Sequence, residues 1–156
     1  MSVETVKEYL KSFHLEDRIQ EFSVSSATVE LAAQALDCDP CRIAKSLSFL
    51  VDGAPILIVA AGDAKIDNAK YKAAFGCKAK MLTAEQTLEL IGHAVGGVCP
   101  FALKEGVKVY LDTSLKRFTT VFPACGSTNS AIGLTIPELE SCSHYTQWID
   151  VCKNWT

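Results

Sequence analysis

Val3, Val6, Leu10 and Phe13 recur three to four residues apart with polar residues between them, which predicts an amphipathic helix over 3–13. Ile19, Phe22 and Val24 make 18–24 a short strand, and Ser25, Ser26 and Thr28 then offer capping oxygens to a helix over 28–37. The Asp37-Cys38-Asp39-Pro40 break ends that helix, because proline disfavours helical backbone in the residue before it. Two apolar runs, 43–51 and 54–61, flank Asp52-Gly53, a dipeptide suited to a two-residue hairpin turn, and predict paired strands.

Further on, Asp67 caps a helix over 67–75 that Gly76 closes, 78–82 is a short strand, and Thr83 with Gln86 forms a capping box for a helix through Ile91. Strands follow at 107–111, 119–124 and 130–136, with a helical turn at 114–117 and a polar turn at Gly126-Ser127-Thr128-Asn129. Pro137 opens a short helix at its first position, and 148–152 is a last strand. The hairpin and the closely spaced late strands argue against a regular parallel repeat of strand, helix and strand. The expected fold class is α+β, a single domain over 1–156 with a mixed, strongly curved sheet flanked by helices.

Two places break the pattern. Alternation along 43–51 puts Lys45, Leu47, Phe49 and Val51 on one face and Ala44, Ser46, Ser48 and Leu50 on the other, so Lys45 shares an apolar face. An unpaired buried ammonium is costly, so Lys45 must either reach water at a sheet rim or meet a polar or anionic partner. The second is Gly92-His93-Ala94-Val95-Gly96-Gly97-Val98-Cys99-Pro100-Phe101-Ala102, whose glycines and proline fit neither a helix nor a strand interior. A shaped loop fits better, pinned to a core by Val95, Val98 and Phe101. Such a loop can present bare backbone N–H groups to a ligand, or it can serve only as a tight crossover between elements.

A chain of 156 residues suits one core that buries roughly two-thirds of the unfolded surface. It has neither an apolar run long enough to span a membrane nor a signal peptide, so no membrane association is expected and the cytoplasm is the default compartment. Seven cysteines, an odd number set mostly among apolar residues, fit reduced core thiols. Only Cys38 and Cys41 have ligand-like spacing, and three scattered histidines supply no second pair, so neither metal nor cofactor is expected. The net charge of -3 offers nucleic acid no overall attraction, yet five lysines between Asp63 and Lys80 face only two aspartates, which by itself reads first as an ordinary solvated helix face and otherwise as a patch able to meet a few phosphates. Cys99 with His93 has the composition of a thiolate and base, although a small apolar loop residue beside a polar pocket or surface histidine is the simpler reading. No Ser-His-Asp order, dinucleotide fingerprint or Walker loop is present. Positioned donors without a nucleophile suit a hydrolysis in which water or the substrate supplies the attacking group.

Ile43-Ala44-Lys45-Ser46-Leu47, Ala61-Gly62-Asp63, the Gly92 to Ala102 stretch, and Gly126-Ser127 with Asn129 together resemble the YbaK/EbsC family, relatives of the editing domain of bacterial prolyl-tRNA synthetases. The resemblance covers nearly the whole chain. It implies a trans-editing deacylase that hydrolyses the ester of mischarged tRNA, tRNA(Pro) first among the candidates, without metal or cofactor. Its partners would be the tRNA acceptor end and prolyl-tRNA synthetase. Lys45 would match the family lysine that contacts the terminal adenosine or phosphate, and Gly97, with Gly96, the glycine whose N–H faces the scissile carbonyl. Pro100 would hold the loop in shape. Thr28, Ser46, His93, Gly126, Ser127 and Asn129 complete the implied substrate-binding set. His93 stands where an aromatic is common, and Ala102 where glycine is common. The alternative is a non-catalytic module that binds an aminoacyl or nucleotide end, or a synthetase.

Overall fold

A computed structural model describes residues 3–155. Helix α1 (Val3–Lys11) buries Val6 and Leu10 and stops short of residue 13, where His14 turns the chain in the left-handed region. Of the strand expected over 18–24 only β1 (Gln20–Glu21) forms. Beyond it the Phe22 N–H donates to Asn129 O and the Ser26 N–H to Thr128 O, so a turn rather than a strand satisfies this backbone. Helix α2 (Val29–Leu36) starts where the Thr28 side chain accepts the Leu31 N–H.

Strands β2 (Ile43–Val51) and β3 (Ala54–Ala61) form the expected hairpin, with Asp52 and Gly53 both at positive φ. After β4 (Lys65–Ile66), α3 (Asn68–Phe75) is capped by the Asp67 carboxylate and closed by Gly76 at φ 75°. The strand expected over 78–82 is reduced to a bridge between Met81 and Phe49, flanked by Leu50 N–H to Lys80 O and Leu82 N–H to Ser48 O. The Thr83–Gln86 capping box opens α4 (Ala84–Gln86), which widens into a π turn over Thr87–Ile91.

β5 (Lys108–Asp112), a 3-10 turn (Thr113–Arg117) and β6 (Thr120–Pro123) follow. The strand expected over 130–136 is split into β7 (Ser130–Ala131), paired with β1, and β8 (Leu134–Thr135), paired with β6. Gly133 lies at the division, where a Cβ would sit 2.9 Å from the Phe122 ring. Thr135 and Glu138 form a second capping box for α5 (Ile136–Ser143), with Pro137 at its second position rather than the first. The last expected strand also divides, into β9 (Gln147–Ile149) and β10 (Cys152–Lys153), because the Val151 N–H turns aside to the buried Asp112 carboxylate.

The main sheet is mixed and curved, in the order β8-β6-β2-β3-β5-β9. β2–β3 and β6–β8 are antiparallel, whereas β2–β6, β3–β5 and β5–β9 are parallel. Leu57, Ile58 and Val59 at its centre are wholly buried, and Leu10, Leu115 and Leu139 share their core. The β2–β6 ladder holds only two pairs, Ile43 with Phe122 and Ala44 with Pro123, and the strands then part. Among the described residues no helix is long and apolar enough to cross a membrane.

Candidate active site

Where β2 leaves β6 a cavity of about 360 Å³ opens. Lys45, Ser46 and Ser48 line its β2 side; Thr28 and Ala32 of the α2 segment line another, and Gly96, Val98 and Ser130 a third. Met81 and Val95, 58% and 62% exposed, form an apolar rim. Strand alternation turns the Ser46 N–H and C=O to the same edge that Ser48 and Leu50 use against residues 80–82, which is the edge facing the gap. The Ser46 hydroxyl is buried and has no hydrogen-bond partner. Such an orphan in a concave, mostly apolar space is what a ligand's polar group would satisfy.

Lys45 meets polar partners rather than snorkelling freely. Its ammonium donates to the carbonyls of Gly62 (3.4 Å) and Ala64. Burial lowers its pKa, with the neighbouring Cys152 and Asp63 opposing that shift. The Gly62-Asp63-Ala64 turn is therefore the lysine's cradle. Arg117 holds it from behind with bonds of 2.9 and 2.6 Å to the Asp63 carboxylate, keeping that carboxyl below its usual range. Gly62 must be glycine because a Cβ would lie 2.1 Å from Pro40 O.

The glycine loop and the polar turn meet through backbone packing. The Gly126 N–H donates to Gly97 O at 3.1 Å, and a Cβ on Gly97 would lie 2.7 Å from Gly126 C and Ser127 N. The Gly97 N–H, expected to face the cavity, instead donates to Ala94 O at 3.0 Å, closing a turn of the loop on itself. Gly96, at φ 95°, is the glycine of this pair that lines the cavity.

Of the substrate-binding set read from the sequence, Thr28, Ser46 and Gly96 line the cavity with Lys45. Pro100, Gly126, Ser127 and Asn129 are not among its lining residues, and His93 is sealed inside the protein rather than placed at a pocket or surface. The His93 Nε2–H donates to Phe101 O at 2.7 Å and so ties the loop's two ends together. Cys99 lies 3.5 Å from the same nitrogen, but burial pushes its thiol up to about 12 and neither group is exposed, so the pair is no thiolate and base facing the cavity. Ser48, Thr87 and Ser130 were missed as lining residues. Ser48 was findable, because alternation places it on the Ser46 face; Thr87 and Ser130 arrive from distant elements and carried no local signal. Among the described residues no group of three His, Cys, Asp or Glu side chains is arranged to hold a metal ion.

Burial lowers the His93 pKa from 6.5, and its Nδ1, where an added proton would sit, has no partner. The unfolded chain takes up this proton near pH 6.5 while the folded one stays neutral, so the stability is complete above that pH and declines below it. Denaturant midpoints are expected to be lower at pH 5.5 than at 7.5, with a smaller difference in His93→Gln; equal slopes in both proteins would assign the titration elsewhere. Ala102 has φ 54°, a left-handed backbone that costs a residue with a Cβ about 1–2 kcal/mol. Ala102→Gly is expected to stabilise the fold by about 0.5–1 kcal/mol after the added freedom of the unfolded chain is counted, read as a raised urea midpoint. No change or a decrease would show that the strain is relieved elsewhere.

A family model described as the aminoacyl-tRNA editing domain matches residues 24–142. The uncharacterised protein YwhH of Bacillus subtilis (strain 168) is 56% identical over 156 residues, covering 99% of both chains. The proline–tRNA ligase of Bacillus pumilus (strain SAFR-032) is 36% identical over 93 residues, which are 59% of this chain and 16% of the ligase. A crystal structure described as that of a candidate trans-editing enzyme for prolyl-tRNA synthetase superposes with a TM-score of 0.87 at 28% identity, over 97% of this chain and 96% of the other. With the family model spanning most of its length and an architecture shared with that solved structure, the chain belongs to the aminoacyl-tRNA editing domain family.

Proposed function

We propose that this protein is a deacylase that hydrolyses the ester between a wrong amino acid and tRNA, with tRNA(Pro) the substrate its ligase relatives favour. The observation that carries the reading is the cavity beside β2. It offers a half-buried lysine, an orphan serine hydroxyl and a glycine loop in a space sized for an aminoacyl group and far too small for a duplex. In this reading the Lys45 ammonium meets the terminal adenosine or its phosphate, exchanging the Gly62 carbonyl for a ligand oxygen. The acyl group enters between Thr28, Ser46 and Gly96. The Gly97 N–H reaches the developing oxyanion when it gives up Ala94 O, and water attacks the carbonyl carbon, its proton passing to the leaving ribose oxygen.

The lysines between residues 65 and 80 supply phosphate attraction, with Lys72 and Lys78 lining a second depression. The protein works in the cytoplasm on tRNA released by prolyl-tRNA synthetase. The test is ester loss from a panel of mischarged tRNAs, tRNA(Pro) among them, at stated salt. Rapid loss from one or a few members supports the reading. The internal bond of the Gly97 N–H favours a second reading, a module that binds the aminoacyl end without cleaving it. Tight binding across the panel with no ester loss would establish that one instead.

A further inference from the structure

Ser130, a residue of the cavity wall, has a hydroxyl of fixed direction. Asn129 Nδ2 donates to Phe22 O at 3.0 Å, which orients the amide and leaves Oδ1 to accept from the Ser127 hydroxyl, also at 3.0 Å. Ser127 has one proton, and that bond uses it. The 2.6 Å contact between Ser127 Oγ and Ser130 Oγ therefore has Ser130 as the donor. Ser130 is completely buried and lines the cavity, and with its proton committed it has only lone pairs to offer a ligand. Two other lining hydroxyls are committed likewise, Ser26 to Thr128 O at 3.4 Å and Thr87 to Thr83 O at 2.8 Å.

We infer that Ser130 is a specificity-determining acceptor that selects an acyl group bearing an N–H or O–H donor, the Asn129–Ser127 relay fixing its polarity. The inference rests on the reading of this cavity as an aminoacyl site. A hydrophobic pocket discriminates weakly between a methyl and a hydroxyl of equal size, whereas an acceptor left unsatisfied by the wrong group discriminates more sharply. The donor has two sources, the α-ammonium shared by all aminoacyl groups and a side-chain hydroxyl.

The test uses 3′-deoxyadenosine joined at the 3′ position, through a stable amide, to serine, 2-aminobutyrate or 3-hydroxypropionate, titrated by calorimetry. 2-Aminobutyrate replaces the serine hydroxyl by methyl, and 3-hydroxypropionate removes the amine. Wild type is expected to bind the serine compound about fivefold more tightly than one of the other two, and which one identifies the donor. Ser130→Ala erases the difference. Ser127→Ala narrows it while keeping Ser130, because the Ser130 proton is then free to turn into the cavity, an effect that a merely structural serine would not produce. Equal binding of all three compounds by wild type, no binding of any, or a preference that survives Ser130→Ala overturns the inference. Ester loss from seryl-tRNA and 2-aminobutyryl-tRNA is measured in parallel. A donor preference without ester loss upholds Ser130 and retires the deacylase, whereas ester loss with equal binding does the reverse.

Discussion

Lys45→Ala is expected to slow ester hydrolysis at least about 100-fold, the scale on which removing one positioned charge or donor from a reacting centre is felt. The geometry explains why the effect should exceed that of an ordinary surface lysine. The ammonium is held by two main-chain carbonyls, Gly62 and Ala64, on a turn that Asp63 and Arg117 brace from behind. Its position is thus fixed before substrate arrives, and burial has already removed part of its water. Loss of the side chain also leaves those carbonyls without their donor, at a cost of about 1 kcal/mol in stability. Activity must therefore be normalised to folded protein from a denaturation curve. Lys45→Arg keeps the charge but presents a planar fork to carbonyls arranged for a compact ammonium, and is expected to recover only a small part of the rate. Hydrolysis within twofold of wild type in Lys45→Ala would remove this residue from the reaction.

Gly97→Ala is expected to destabilise the protein by about 2–3 kcal/mol, a fall of several degrees in Tm for a chain of this size. The new methyl would meet Gly126 C, Gly126 O and Ser127 N within 3 Å, all of them backbone atoms that no rotamer change can move aside. Relief requires the loop to leave the turn, which breaks the Gly126 N–H bond to Gly97 O and displaces Gly96 from Ala27 and Thr128. The rate per folded molecule should fall as well. Thermal and urea unfolding beside deacylation measures both, and an unchanged Tm would refute the close packing. Gly106→Ala is the control: unlike Gly97 it has a positive φ, 90°, but its Cβ would meet nothing, so the cost should be only the backbone strain of about 1 kcal/mol.

These two residues also show what could be read from the sequence. Lys45 stood out because strand alternation set a charge on an apolar face, a local pattern that survives folding. Its partners came from a main-chain turn 17 and 19 residues away, which no side-chain pattern announces. Gly97 was legible as a position that excludes side chains, but two physical causes give one sequence signal. Exposure of an N–H to ligand and close approach of another backbone both demand glycine, and here the second is what the folded chain displays. The helix caps and the Asp52-Gly53 hairpin were legible because their determinants lie within four residues. The strands over 130–136 and 148–152 were read as continuous because apolar runs do not record a change of partner. Each divides where one stretch of chain serves two different sheets.

The parting of β2 from β6 has a consequence for association between molecules. A strand that loses its neighbour exposes main-chain donors and acceptors, the template on which a second copy could dock edge to edge. In this protein the bare length is kept short: pairing with β6 ends at Ala44, and the Leu82 N–H already covers Ser48 O. Only a step of the strand around Ser46 is left open, too brief for another β-strand to gain a foothold and still long enough to admit a small molecule. The same economy that makes room for a ligand thus guards the molecule against polymerising through its own binding edge.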